Sequence, residues 1–436
     1  MSIPQQGVEG GTIHLQVIEN PIGRLRVVNS KYHSLEQILD NAPSMAEGKV
    51  LNRKALQDDI VTLNQQPDLK VTPAPKPGQR PGTTDVDLQV EDHLPLHGSL
   101  EINNQNNQDT TPLRLVGTVS YDNLWQLGHS LSLSYQIAPE NPNDAEVLSG
   151  TYLFAVPRTP LSFLFYGVKS DSDVAAVAGT DVVGRGSIVG ARTIINLPGT
   201  DNFYQSVTGG IDRKDLLQNV VTGGIESKAP VLYYPITLAY SATLQNQDTV
   251  TQANASLNFA IPGWSSGSTD FDAQRFDALR QYFYFKASLN RSQPLPLGMV
   301  LVGKIEGQIT PDPLLSSEQL SMGGENSVRG YLEAERLGDY GAHTTVELRS
   351  PSFGQAISPE INDWRVLAFF DGASLQLQDP LPGEQDSMRM ASVGAGMRFT
   401  AFKTINAALD IGVPLVKGVV TKAGEPRIHF LVSSGF

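Results

Sequence analysis

Apolar and polar residues alternate with a period of two along most of this chain. Leu131, Leu133, Tyr135 and Ile137 interleave with Ser130, Ser132, Ser134 and Gln136, and Phe283, Phe285, Ala287 and Leu289 with Tyr284, Lys286, Ser288 and Asn290. Ile405, Ala407, Leu409, Ile411 and Val413 share one phase, as do Ile428, Phe430, Val432, Ser434 and the terminal Phe436. This is the pattern of strands with one apolar face. Helical periodicity nearly vanishes after about residue 98. The strands around Leu301–Ile309 and Val346–Leu348 flank Ser321–Tyr331, a polar, glycine-rich stretch carrying Arg329. It is too long for a tight hairpin and has no helical stripe, so it predicts a long loop of the kind that is functional or disordered. If Arg329 turns into the interior, it needs an acceptor there.

The first ninety residues read differently. Ile13, Leu15 and Val17 predict one strand without partners, the tail of an earlier domain over residues 1–20. Leu25 and Val27 begin a new strand. Ser34 and Gln37 have capping-box spacing before a short helix, and Leu56, Ile60 and Leu63 recur at helical spacing in a second. Val71 follows, then the breaker-rich Pro73–Gly82, then a strand with Val86, Leu88 and Val90. The predicted order is strand, helix, helix, strand, strand: a small α+β domain over 21–92. A linker is expected over 93–110, and the strand-rich region over 111–436.

Alternation alone does not choose between a soluble sandwich and a membrane barrel. Three features favour the barrel. The alternation persists over more chain than one sandwich holds, and several polar faces carry both signs of charge, as with Lys304 and Glu306 or Glu347 and Arg349. The chain also ends in mid-strand on Phe436, which suits a barrel closing on its last strand. At about twenty residues per strand and connection, roughly sixteen strands are expected, an even number as in bacterial barrels.

Composition narrows the functions. Of 436 residues 45 are acidic and 32 basic, a net charge of −13, which argues against a nucleic-acid partner. With no cysteine there is no disulfide scaffold, thiol catalysis or thiolate metal site. No apolar run is long enough for a membrane-spanning helix, which leaves a strand-built barrel open. Residues 1–10 show neither a basic n-region nor an apolar h-region, so an exported form with this start is expected to be trimmed or truncated. Zincin and P-loop motifs are missing, and Gly184–Gly190 has the wrong spacing for a dinucleotide loop and reads as turn and strand. His93 and His97 are four apart, but Pro95 forbids the helix that would align them, so no metal site is assigned. No enzyme and no cofactor are expected.

The remaining candidate is Arg329 with its acceptor. In Arg365–Ala373, Val366, Ala368 and Phe370 share one face and Asp371 lies on the other. With the small apolar set toward lipid, Asp371 points into the lumen, where a bidentate Arg329–Asp371 fork would pin the loop. The alternative is a solvated arginine and a hydrated aspartate.

Val328-Arg329-Gly330-Tyr331 followed by Phe369-x-Asp371-Gly372 resembles the paired signature of the outer-membrane transporters of two-partner secretion, the haemolysin secretion/activation family. Asn64–Asp68, Pro77–Thr83 and Asp85–Glu91 resemble that family's second POTRA domain, and Asn123–Gly128 its first barrel hairpin, so the likeness covers nearly the whole chain. The resemblance implies a sixteen-stranded antiparallel transmembrane β-barrel preceded by periplasmic POTRA domains, with an extracellular loop folded into the lumen by Arg329 and Asp371. It implies a Gram-negative-type outer membrane with its lipid and lipopolysaccharide, and a barrel-assembly machinery acting during biogenesis with Phe436 as C-terminal signature. The partner would be a large secreted β-helical exoprotein, a haemolysin or adhesin, moved without nucleotide. Leu25, Val27, Leu56, Ile60 and Leu63 are candidate POTRA positions for binding it. The sequence departs from the family at its start, where the signal peptide, plug helix and most of a first POTRA domain are not recognised. An assembly factor of the same superfamily and a passive porin remain rival readings.

Overall fold

The computed structural model describes residues 19–436 except 65, 67, 109, 172–173, 178–179, 184 and 223–224. The strand expected around Ile13–Val17, and with it the 1–20 remnant except its last two residues, lies outside the described residues, as do Gly184 and parts of the 64–68 motif. The chain divides into two compact units, one reaching Leu96 and including Tyr121–Ser130, the other comprising His97–Ser120 and Leu131–Phe436.

The first unit contains β1 (Ile22–Val28), α1 (Leu35–Asp40), α2 (Arg53–Leu63), β2 (Leu69–Pro77) and β3 (Thr84–Asp92), in the order the sequence predicts. Its sheet runs β1-β3-β2, with β1 parallel and β2 antiparallel to the central β3. Ser34 caps α1 by accepting from the Gln37 N–H at 3.1 Å. The reciprocal arm expected from the Gln37 side chain is supplied instead by Gln126, whose Oε1 accepts from the Ser34 N–H at 2.9 Å. Asn52 caps α2 through the N–H groups of Lys54 and Ala55. Ile22, Ile38, Met45, Leu63, Val71 and Leu88 fill the core between helices and sheet.

The proline-rich stretch is a correction. Pro73, Pro75 and Pro77 lie inside β2 rather than in a loop. Gly78 N–H donates to Thr83 O and His93 N–H to Asp68 O, which fixes the parity: even-numbered residues of β2 bond to β3 and odd-numbered ones face outward. The prolines thus fall where no ladder N–H is needed, at a sheet edge.

The second unit is a closed barrel. Its strands, in order, are Leu96–Asn103, Arg114–Leu124, His129–Ile137, Glu146–Ala155, Leu161–Ser170, Arg185–Thr200, Phe203–Thr222, Ile225–Tyr233 continued by Pro235–Asn246, Thr249–Ala260, Phe283–Pro294, Val300–Ile309, Tyr340–Arg349, Ile361–Gln376, Ser387–Ala401, Ile405–Pro414 and Arg427–Gly435. The eighth is one strand interrupted at Tyr234, because both halves pair with the seventh and Pro235 has no N–H for the ladder. That makes sixteen, the expected number. Connections alternate between short turns such as 201–202 and 247–248 at one rim and long loops such as 261–282 and 310–339 at the other.

The exposed face of this barrel is the apolar one. Leu289, Ile305, Val346, Phe370, Ile411 and Ile428 are exposed, whereas Glu347, Asp371, Asp410 and His429 are buried inside. A soluble sandwich would show the reverse, so the burial pattern decides for a membrane barrel.

The first strand overturns the expected linker. Leu96–Asn103 pairs with the last strand, from Ser99 opposite Gly435 to Asn103 opposite Leu431, and closes the barrel. Pro95 and Gly98 hid it in the sequence. A Cβ at Gly98 would lie 2.6 Å from the ring of the exposed Phe436, which would have to swing aside. No helix joins His93 to His97, in keeping with Pro95.

Candidate functional site: an arginine hub in the lumen

The loop 310–339, between the eleventh and twelfth strands, turns back into the barrel. A short hairpin, Leu320–Met322 with Arg336–Gly338, forms its stem. Gly323, Gly324 and Gly330 then take φ values of 109°, 99° and 93°, which side-chain-bearing residues adopt only under strain. Those turns deliver Arg329 to the centre of the lumen, where it is 2% exposed.

The guanidinium forks onto Asp371, Nε to Oδ2 at 2.8 Å and Nη2 to Oδ1 at 2.9 Å, and the Arg329 main-chain N–H adds a third bond at 3.1 Å. Nη1 donates to Glu347 Oε1 at 2.7 Å and to Asp410 Oδ2 at 3.3 Å. The cation lies over the Phe369 ring, 3.5 Å from its centre, a cation–π contact that excludes water from one face. Two further arginines complete the network: Arg349 on Glu347 and Arg398 on Asp410. Three guanidiniums thus meet three carboxylates, and the hub carries no net charge, the condition for burying so many ions.

The neighbouring residues seat the loop tip. Gly330 N–H donates to His429 Nε2 at 2.9 Å. Gly330 also passes so close to the fifteenth strand that a Cβ on Gly412 would lie 2.6 Å from its nitrogen. The Tyr331 hydroxyl reaches the carbonyls of Val416 at 2.6 Å and Ala391 at 3.0 Å. Val328 and Tyr331 are buried in an apolar cluster with Met322, Leu375, Met388 and Met390.

The structure therefore brings Val328, Arg329, Gly330, Tyr331, Phe369 and Asp371 together. Gly372 is not part of that meeting: it follows inward Asp371 on the opposite phase, beside the exposed Phe370. Glu347, Arg349, Arg398, Asp410 and His429 went unrecognised as partners. Their only signal is that ionisable groups recur on the inward phase of neighbouring strands.

In the α+β unit, Leu63 is a core residue, 1% exposed, which removes it as a binding position. Leu25, Val27, Leu56 and Ile60 are half-buried against the same core. What stays open is backbone. Past Ile22, whose backbone bonds to Gly48 and Lys49, β1 is a free sheet edge among the described residues. On the sheet, Asp87 accepts from Arg26 at 2.9 Å and Lys76 at 2.6 Å, and these two cations hold its carboxyl down at about 2.

Comparison with known proteins gives a consistent result. A family model described as haemolysin secretion/activation protein ShlB/FhaC/HecB matches residues 82–399. Outer membrane transporter CdiB of Dickeya dadantii (strain 3937) is 22% identical over 432 residues, 95% of this chain and 72% of its own length. Among solved structures, CdiB from Escherichia coli superposes with a TM-score of 0.74 at 21% identity, over 100% of this chain and 80% of that one. BamA from Haemophilus ducreyi lacking POTRA domains 1-3 gives 0.64 at 15% identity, over 96% of this chain and 85% of that one.

Proposed function

The chain belongs to the haemolysin secretion/activation family ShlB/FhaC/HecB, and from that premise we propose how it moves its substrate. It is an outer-membrane transporter of secreted exoproteins in two-partner secretion. Outer-membrane barrels carry short periplasmic turns and long outer loops, so the turn rim is assigned to the periplasm. Residues 21–92 then act there as a POTRA domain, with 1–20 the end of a preceding one. The apolar outer wall contacts membrane lipid and, at the loop rim, lipopolysaccharide; the barrel-assembly machinery inserts the barrel, reading its last strand to Phe436.

The cargo is a large haemolysin- or adhesin-like exoprotein that enters unfolded. An extended segment pairs with the open edge of β1 and gains main-chain hydrogen bonds without strict sequence demands, as transport of a long chain requires. The β2 edge does not serve, because Pro73, Pro75 and Pro77 present no N–H outward. Folding of the β-helix outside supplies the drive, with no nucleotide.

The observation that carries this mechanism is the arginine hub. A loop held in the lumen by one guanidinium among three carboxylates closes the pore at rest and has a definite set of bonds to release. The test is secretion of the exoprotein this transporter serves, the neighbouring gene's product if one is encoded beside it, in cells with wild-type or Arg329→Ala transporter at matched outer-membrane levels. Secretion should fall while the barrel stays heat-modifiable on a gel. Normal secretion with the loop still docked would refute the role given to Arg329.

A further inference from the structure

The loop rim carries a second set of bonds that the arginine hub does not touch. Loop 261–282 contains a short helix, Ser268–Gln274, and its Phe271 packs with Leu314 and Leu315 against Leu216, Val231 and Tyr233 on the inner wall. This dry cluster lies inside the barrel, where a transport path would be wet.

Two buried carboxylates fasten it. Glu318, with its side chain 1% exposed, accepts from Lys214 Nζ at 2.5 Å, the Tyr233 hydroxyl at 2.6 Å and the Tyr284 hydroxyl at 2.9 Å. Those donors sit on the seventh, eighth and tenth strands, so one glutamate ties the loop to three staves. Asp339, fully buried, accepts a fork from Arg275 at 2.5 and 2.6 Å, then the N–H groups of Leu314 and Gln378 and the Gln319 side chain. Arg275 also donates to the carbonyls of Leu314 and Gln378. Asp339 thereby joins loops 261–282, 310–339 and 377–386. A carboxylate this buried is tolerated only with such a full set of donors, and losing one donor or the charge loosens every loop it joins.

No side chain among the described residues belongs to both networks. We propose that Asp339 and Glu318 hold a second closure of the pore, at its loop rim, which opens independently of the Arg329 hub. On the transporter reading above, a chain in transit passes two gates in series: the hub, released from the lumen, and this apolar plug, displaced at the exit. On this account a barrel whose lumenal loop has been freed stays tight to small solutes as long as the plug holds.

The test uses the full-length protein in outer-membrane vesicles without exoprotein, so it stands or fails apart from the secretion result. The chain has no cysteine, so Leu315→Cys and Val328→Cys, introduced singly, each report one gate to a maleimide. Asp339→Asn should speed labelling of the thiol at position 315 by about tenfold or more, the scale of losing a charge-assisted bond or two, and leave labelling at position 328 unchanged. Arg329→Ala should do the opposite. If either substitution accelerates both sites equally, there is one cooperative closure and the proposal fails. If Asp339→Asn does not insert as a heat-modifiable barrel, Glu318→Gln is read in its place. Unchanged labelling at position 315 in both variants would equally overturn the proposal.

Discussion

Replacing Arg329 by alanine should undock the lumenal loop, and the structure says where the damage falls. Glu347 keeps Arg349 and Asp410 keeps Arg398, so two of the three carboxylates stay neutralised. Asp371 loses its fork and keeps one bond, from the main-chain N–H of residue 329. Stranding a buried ion by deleting its partner costs about 3–5 kcal/mol. At about 1.36 kcal/mol per tenfold, the undocked fraction should rise roughly 10²- to 10⁴-fold. Asp371→Asn in the same chain removes the stranded charge, so the double variant should be less damaged than the sum of the singles, with a coupling of about 0.5–3 kcal/mol. Val328 is fully buried in the docked loop, so Val328→Cys in this cysteine-free chain labels with maleimide only on undocking. Labelling rates in the four backgrounds of the cycle give the free energies directly. Rates within about threefold of the parent in Arg329→Ala, or strict additivity in the cycle, would refute the account of the hub.

Further outcomes follow from single contacts. Gly330→Ala places a Cβ 3.1 Å from the Gly412 carbonyl at φ 93°, so docking should weaken by about 1–3 kcal/mol, read with the same cysteine. Phe370→Arg puts a cation on the exposed apolar wall and should destabilise the inserted barrel by about 2–4 kcal/mol if the site lies near the membrane midplane; unfolding in lipid by urea checks it. Asp87 titrates at about 2 in the folded unit, below its ordinary value, because Arg26 and Lys76 donate to it. The unfolded chain therefore binds more protons across that interval, and stability of the α+β unit should be intact above about pH 4 and fall as pH drops toward about 2. Asp87→Asn should shrink that slope, measured by amide exchange of the sheet across the same pH range, leaving the part that Asp92 contributes.

How far the residues alone reached is clearest at the strands. Period two is a local property, so inward and outward phases could be read from a few residues at a time: Asp371 inward and Phe370 outward, with no knowledge of what lay beside them. The order of strand, helix, helix, strand, strand and the glycine-bearing loop around Arg329 were legible for the same reason. Strand neighbours are not local. Gly330 meets His429, ninety-nine residues on, because closure and strand order carry the sixteenth strand to the loop tip. The first strand became recognisable only once the last was seen to need a partner, and the prolines of β2 only once the pairing parity put them at an edge. The carboxylates that share Arg329 were each written in the sequence as one more polar residue on an inward phase, and those that fasten the loop rim as acidic residues of a loop. Which of them meet was decided by how the barrel closes.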